Sequence, residues 1–308
     1  MMSQDKIITI LGPTATGKTD LAVHVADALG GEIVSADSRQ VFRRMDIGTG
    51  KDLDEYTIDG RLIPYHMINI VEPGIEYNVF EYQQGAQKAI DDILGRNKPA
   101  ILCGGSGMYI ESVLKGYKLF PVPQNDPLRA ELQTLSDDVL IEKLAAFKSL
   151  HNHTDTDERE RLIRALEIEI YYHNHPELQE AARPRPSIIF GLCGDRNIVR
   201  QKITRRLKER LDNGLIEEVE ALLQSGVNPA QLIRYGLEYK FITLYLQHII
   251  DRKTLFTQLN TAIHQFSKRQ MTWFRKMERS GFVIHWIDCA LPMEEKVNML
   301  ITQLDEAQ

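Results

Sequence analysis

Gly12-Pro13-Thr14-Ala15-Thr16-Gly17-Lys18-Thr19 sets two glycines, a lysine and a hydroxyl at the spacing of a phosphate-binding loop, G-x-x-x-x-G-K-[ST]. The glycines let the backbone curl until successive N–H groups point inward at phosphate oxygens. Lys18 adds a point charge, and Thr19 a hydroxyl for Mg²⁺. The plainer reading is a Gly-rich turn that holds nothing. A strand before the motif and a helix after it count against that. The loop alone names no reaction, because nucleotide hydrolases, small-molecule kinases and other diphosphate users share it.

Two further turns carry chemistry. Ser35-Ala36-Asp37-Ser38-Arg39-Gln40 places a carboxylate just past a second apolar run, on the edge that carries the phosphate loop. There Asp37 can take a proton from an acceptor lying against the phosphates; a helix N-cap is its other reading. Gly104-Gly105-Ser106-Gly107 brings backbone N–H groups and the Ser106 hydroxyl to a helix start, or else is a tight turn.

Elements that would position these turns are legible around them. Ile7 to Leu11 is an unbroken apolar run that meets Gly12-Pro13, and a helical Asp20-to-Leu29 stretch follows. Strands of a parallel α/β sheet are buried on both faces and read as such runs, with active residues at their carboxyl ends. Ile33-Val34, Met67 to Val71 and Ala100 to Cys103 repeat the pattern, each with a helix expected after it. From Pro121-Val122-Pro123 to Arg183-Pro184-Arg185-Pro186 the spacing turns helical, so a mostly helical insertion is expected over 121–186. Ser187 to Cys193 and Phe282 to Ile287 resume strands. Helical stretches are expected at about 196–212, 215–225, 230–249 and 252–279 by their 3.6-residue spacing. The expected fold is therefore α/β: a P-loop NTPase-like parallel sheet with flanking helices over 1–120 and 187–308, interrupted by the insertion.

Composition narrows the class. At about 100–200 residues per domain, 308 residues make one large domain or two modest ones. With 43% hydrophobic and 26% charged residues the chain can bury a core. No run approaches the roughly 18 apolar residues of a membrane span, and no cleavage site follows the first residues. Cys103, Cys193 and Cys289 are odd in number and far apart, which suits a reducing cytoplasm. A net charge of −6 argues against a coat of Lys and Arg, although local basic surfaces remain. Arg196 to Arg210 holds seven basic residues against Glu209, and Lys268 to Arg279 holds five around Trp273 and Phe274. Both read as RNA-gripping or as amphipathic surface helices. His151, His153, His173 and His175 have no Cys or carboxylate pattern around them and read as loop histidines rather than metal ligands.

The ordered set of motifs resembles the tRNA dimethylallyltransferases, or tRNA isopentenyltransferases, of bacterial type. It consists of Gly12 to Thr19, Asp37 to Phe42, Met45 to Thr49 with Lys51, Gly104 to Tyr109, Arg161 to Glu167 and Phe266 to Arg275. The resemblance covers nearly the whole chain, and no zinc-finger extension like that of eukaryotic members follows. It implies transfer of a dimethylallyl group from dimethylallyl diphosphate to the N6 amine of an adenine beside the anticodon of tRNA. By that likeness Gly12 to Thr19 hold the isoprenoid diphosphate with Mg²⁺ at Thr19, Asp37 is the base, Ser106 stands where the family usually has Thr, and Arg234 matches a second cation.

The resemblance also implies tRNA contacts at Asp37, Ser38, Arg39 and Gln40, the last suited to an adenine edge. Further contacts are implied at Glu160, Arg161, Leu162, Ile163 and Arg164 of the insertion, and at Lys268, Arg269, Trp273 and Arg275. Arg161 and Arg164 lie three apart on one helix face, where they meet phosphates or form a solvated salt-bridged surface. His66 matches half of a histidine pair common in the family. The implied partners are tRNA and dimethylallyl diphosphate, the implied cofactor is Mg²⁺, and the expected state is a monomer. An isopentenyltransferase of free adenine nucleotides, a P-loop small-molecule kinase and a noncatalytic RNA-binding protein are the competing readings.

Overall fold

The computed structural model describes residues 6–147, 159–176 and 183–306. Six parallel strands form its central sheet in the order β5-β2-β6-β1-β7-β8. These are β1 (Ile7–Leu11), β2 (Glu32–Ser35), β5 (Tyr65–His66), β6 (Ala100–Gly104), β7 (Ser187–Cys193) and β8 (Ile284–Asp288). Every residue of β1, β2 and β6 is buried. Helices cover both faces, which is why these strands read as apolar runs. The first helix, α1 (Lys18–Leu29), ends where Gly30 turns left-handed at φ 64°.

Three local expectations are corrected. Met67 to Val71 is not a strand: the paired residues are Tyr65 and His66, and Met67 and Asn69 take positive φ values of 65° and 56° that no strand permits. Only an isolated bridge joins Phe42 to Val71. No α-helix follows β2. Residues 36–64 instead hold turns, a 3₁₀ turn at Leu53–Tyr56 and the hairpin of β3 (Thr57–Ile58) and β4 (Arg61–Leu62). The expected 230–249 helix is two helices, α9 (Pro229–Tyr235) and α10 (Leu237–Leu246), broken at Gly236. Its φ of 77° and ψ of −174° lie where a side chain would clash.

The other core elements are α2 (Val79–Gly95), α3 (Gly107–Lys115), α7 (Arg196–Asp212), α8 (Leu215–Gln224), α11 (Arg252–Arg279) and α12 (Met293–Glu306). Residues 1–116 and 183–308 form one compact unit and Tyr117–Ala182 the other, against the expected insertion at 121–186. At the amino end of β2, buried Glu32 accepts from Arg96, Lys98 (2.9 Å) and His66 (2.8 Å). His66 therefore belongs to an ion network at the sheet edge away from the phosphate loop.

The second unit packs α4 (Asp126–Gln133), α5 (Asp137–Phe147) and α6 (Arg159–Asn174) around Leu132, Leu140, Leu144, Leu162, Ile163 and Leu166. Glu167 is 1% exposed beside them. Burial raises its pKa, but Arg129, the Asn125 N–H and Arg164 outweigh that and pull it down to about 2. A depressed carboxyl contributes stability above its unfolded pKa and loses it as pH falls toward the folded value. Glu167→Ala should therefore cost the unit about 1.5–3 kcal/mol at neutral pH, with the difference shrinking toward pH 2. Urea titration with amide exchange of α6 measures this, and an unchanged midpoint would refute it. His173 lies in α6 rather than a loop, and His175 Nδ1 pairs with Tyr171 O at 2.8 Å. His151 and His153 lie outside the described residues.

Candidate active site

The phosphate loop leaves β1 at the carboxyl edge of the sheet. A Cβ on Gly12 would stand 2.9 Å from Leu192 O, so the chain can turn there only without a side chain. Buried Thr16 closes the loop by donating to Pro13 O (2.9 Å), and Gly17 enters α1 at φ 77°. Lys18 and Thr19 form the first turn of that helix. Burial lowers the Lys18 pKa; Asp37 opposes this and Arg206 adds to it. Arg206, on α7, donates to Thr14 Oγ1, and burial followed by Arg210 brings its guanidinium down to about 10. Two cations thus repel each other over a ring of backbone N–H groups. A diphosphate placed there would relieve the repulsion.

Asp37 follows β2 and Ser106 follows β6. Asp37 Oδ1 accepts from Arg39 N (2.9 Å), and among the described residues nothing engages Oδ2. It forms a turn of its own and caps no helix. Ser106 Oγ accepts from Ser38 N (3.0 Å), while its 3.3 Å contact to Ser38 Oγ is long for a hydroxyl pair. The Ser106 proton can therefore turn to a ligand oxygen while Ser38 holds the side chain in place. The two turns can touch because Gly104 has no Cβ, which would lie 2.2 Å from Ala36 O. Beneath them Tyr82 and Tyr109 stack with centroids 3.9 Å apart. Burial pushes the Cys103 thiol up to about 12, so it is no nucleophile.

Gln270 of α11 is a site residue that sequence reasoning missed. It is 6% exposed; its Oε1 accepts from Thr14 N (2.9 Å) and its Nε2 donates to Gly105 O (3.0 Å). One amide therefore joins the phosphate loop to the turn that bears Ser106. Gln270→Leu should strand both backbone groups, costing about 1–3 kcal/mol for each that water does not reach, and should raise the diphosphate donor's KM. An unchanged urea midpoint together with an unchanged KM would show the bridge to be dispensable.

Several expected contacts have other roles. Gln40 is 8% exposed, accepts from Ser35 Oγ (2.9 Å) and donates to Gly50 O (3.1 Å), so within the fold its amide ties the end of β2 to Gly50. Arg39 lies 5.5 Å from the ring centroid of Tyr235. Leu162 and Ile163 are core residues of the insertion, 0% and 3% exposed, because they face inward on α6. Glu160 and Arg161 are exposed, and Arg164 donates to Glu167 and to Val122 O (2.7 Å). Trp273 donates to Glu111 Oε2 (3.0 Å), and its indole would lie 2.2 Å from a Cβ on Gly107. Its ring is packing, not an open stacking surface. Lys268 and Arg275 line a groove that does not include exposed Arg269. Arg234 is exposed on the last turn of α9, with no hydrogen bond or ion pair to the phosphate loop among the described residues; Arg206 stands there instead.

The motif around Lys51 is structural as well. Lys51 is 0% exposed and donates to Phe42 O (2.5 Å), Asp46 (2.6 Å) and Asn69 (2.5 Å). The Glu218 carboxylate gathers the N–H groups of Asp46, Ile47 and Gly48 and the Tyr239 hydroxyl. These contacts fix the 42–52 loop beside the site.

A parallel sheet with a phosphate loop on β1, a carboxylate after β2 and a hydroxyl after β6 defines a P-loop α/β protein equipped to act on a phosphorylated compound. The sequence profile described as IPP transferase matches residues 40–277, and the chain belongs to that family. It is 55% identical over 301 residues to tRNA dimethylallyltransferase 2 of Bacteroides fragilis, covering 97% of this chain and 98% of that one. It is 54% identical to tRNA dimethylallyltransferase 1 of Parabacteroides distasonis, covering 96% of each chain. The crystal structure of the tRNA isopentenylpyrophosphate transferase of Bacillus halodurans superposes with a TM-score of 0.71 at 30% identity, covering 98% of this chain and 97% of that one. A eukaryotic dimethylallyltransferase acting on tRNA shares the fold, with a TM-score of 0.74 at 22% identity, over 92% of this chain and 74% of that one.

Proposed function

We propose that this protein transfers the dimethylallyl group of dimethylallyl diphosphate to the N6 amine of an adenine next to the anticodon in tRNA. The observation that carries the reading is the placement of Asp37 and Ser106, tied through Ser38, beside a phosphate loop crowded by Lys18 and Arg206. The reaction breaks the bond between the allylic carbon and the diphosphate and forms one between that carbon and N6. Lys18, Arg206 and the loop N–H groups hold the departing diphosphate, whose charge grows as the bond breaks. The Ser106 hydroxyl donates to the bridging oxygen. The N6 lone pair is conjugated into the purine, so a base helps as the new bond forms; Asp37 Oδ2 accepts the N6 proton. The products are N6-isopentenyladenosine in the RNA, free diphosphate and a proton.

Mg²⁺ fits one place. Among the described residues no cluster of three or more His, Cys, Asp or Glu could hold a metal. Mg²⁺ needs none, because it takes one or two protein oxygens and completes its shell with substrate phosphates and water. Thr19, in the first turn of α1 beside Lys18, supplies such an oxygen. Bound there, the ion would neutralise diphosphate charge.

The tRNA is held by the surface around Ser38 and Arg39 and by Glu160, Arg161 and Lys268. No described helix is long and apolar enough to cross a membrane, and we place the enzyme in the cytoplasm with its tRNA. Purified protein given labelled dimethylallyl diphosphate should modify an anticodon stem-loop but not AMP or ATP, and changing the target adenine to guanine should end transfer, since guanine presents O6 where N6 is required. Labelling of AMP with none of the stem-loop would overturn the tRNA assignment.

A further inference from the structure

Glu111 is a carboxylate at 1% exposure that the chemistry above does not use. Its Oε1 pairs with Lys115 Nζ (2.6 Å), and its Oε2 accepts from the indole N–H of Trp273 (3.0 Å). Carboxylates are almost never so buried unless paired, and a buried ion pair adds little net stability because desolvation offsets the attraction. What it imposes is one arrangement of its partners.

Those partners lie along one face of α3. Gly107, Glu111 and Lys115 are spaced by four and so stack on one side of the helix. The Trp273 indole spans the first two: a Cβ on Gly107 would stand 2.2 Å from its Cδ1, while Nε1 reaches Glu111. Lys276, one turn along α11, lies 4.8 Å from the indole centroid, and Lys115 Nζ donates to Ser280 Oγ at the end of α11 (3.3 Å). The two helices are thus pinned where α3 begins and again where it ends.

The beginning of α3 is where Ser106 stands. Ser106 is the N-cap residue, yet its side chain makes no capping bond, so the first turn lacks the anchor that a serine there ordinarily supplies. We propose that Glu111 and Trp273 are positioning residues for Ser106: they fix where α3 starts, and with it where the hydroxyl meets the bridging oxygen of the diphosphate. The proposal rests on the prenyl-transfer reading above. Gln270 holds the carbonyl of Gly105, one residue before Ser106, and the indole packs on Gly107, one residue after. Helix α11 therefore grips the turn on both sides of the hydroxyl. A displacement of about 1 Å at a reacting group can cost about 10²-fold in rate. The cost falls on turnover rather than binding, because the bond to the bridging oxygen strengthens only as the allylic bond breaks.

The test is a double-mutant cycle on the full chain: Trp273→Phe, Ser106→Ala and the two together, read as single-turnover rates with labelled dimethylallyl diphosphate and an anticodon stem-loop. Phenylalanine keeps a ring beside Gly107 and removes the N–H. Trp273→Phe should lower the rate about tenfold, with half-saturation by the donor and tRNA affinity within about twofold of wild type. In the Ser106→Ala background the same substitution should lower the rate by less than about twofold, because no hydroxyl remains to be placed. Glu111→Ala should behave like Trp273→Phe, and Glu111→Gln, which keeps an acceptor for the indole, should recover most of the loss. A pair that only stabilises the fold would lower the urea midpoint and leave the rate unchanged, or lower the rate equally with and without Ser106. Either result would overturn the proposal, as would a loss confined to tRNA affinity, which would make Trp273 an RNA contact. Wild-type protein that transfers no prenyl group would overturn the reaction itself, whereas additive losses in an active enzyme overturn the positioning role alone.

Discussion

Asp37→Ala should lower turnover by about 10²–10⁴-fold, the contribution of a positioned general base, while tRNA affinity stays within a few-fold of wild type. Asp37 Oδ1 is held by Arg39 N at 2.9 Å and Oδ2 is unengaged among the described residues, so the carboxylate is oriented with one oxygen free. Asp37→Asn separates base from architecture: the amide oxygen can still accept from Arg39 N, but no atom of the side chain takes a proton at neutral pH. Both variants should therefore fail alike in single-turnover assays with labelled donor. Wild-type turnover in either would remove Asp37 from the chemistry.

A second consequence separates this from a folding defect. Asp37 raises the pKa of Lys18 against burial and Arg206, which lower it. Without the carboxylate the lysine loses its proton at a lower pH. Donor binding by either variant should then weaken at a less alkaline pH than in wild type, a shift that a merely unstable protein would not show.

Much of this site was legible in the sequence because its signals are local. The Ile7–Leu11 run and the two glycines after it define a strand and a loop by themselves, and Asp37 and Ser106 follow apolar runs in the same way. What escaped depends on partners remote along the chain. Gln270 bridges to Thr14 across 256 residues, and although it stands inside the Phe266 to Arg275 motif, nothing local shows that its amide turns inward to the phosphate loop. Arg206 is one of seven basic residues on α7, and only packing shows that it is the one beside Thr14. Gln40 and Trp273 are of the right types to read RNA, yet the fold commits their polar atoms to Gly50 and Glu111. Gly236 did carry a signal, because a glycine inside a helical pattern weakens it, and the chain breaks there with Gly236 at φ 77° and Leu237 at 43°. Met67 to Val71 misled because its apolar types are not matched by burial or pairing: Met67 and Ile68 are buried, Ile70 is 41% exposed, and Val71 meets Phe42 through a lone bridge.

Lys18→Ala should reduce kcat/KM for dimethylallyl diphosphate by about 10²–10³-fold, the cost of losing one pre-positioned group that stabilises developing charge. Two cations serve this loop, and their mutual repulsion is what a bound diphosphate would relieve. Removing Lys18 takes away that repulsion along with half of the attraction, so Arg206 should become easier to keep protonated while the donor binds more weakly. The loss should appear in kcat as well as KM, because charge on the bridging and terminal oxygens grows only as the allylic bond breaks. Inorganic diphosphate, the product, should inhibit wild type and lose potency in the variant, whereas Arg234→Ala should leave that inhibition nearly unchanged, given where the structure puts Arg234. EDTA should stop transfer by wild type if Mg²⁺ shares the diphosphate with Thr19. If Lys18→Ala instead keeps full prenyl transfer but abolishes an ATP-dependent phosphorylation, the loop serves a kinase reaction and the order of charge development argued here does not apply.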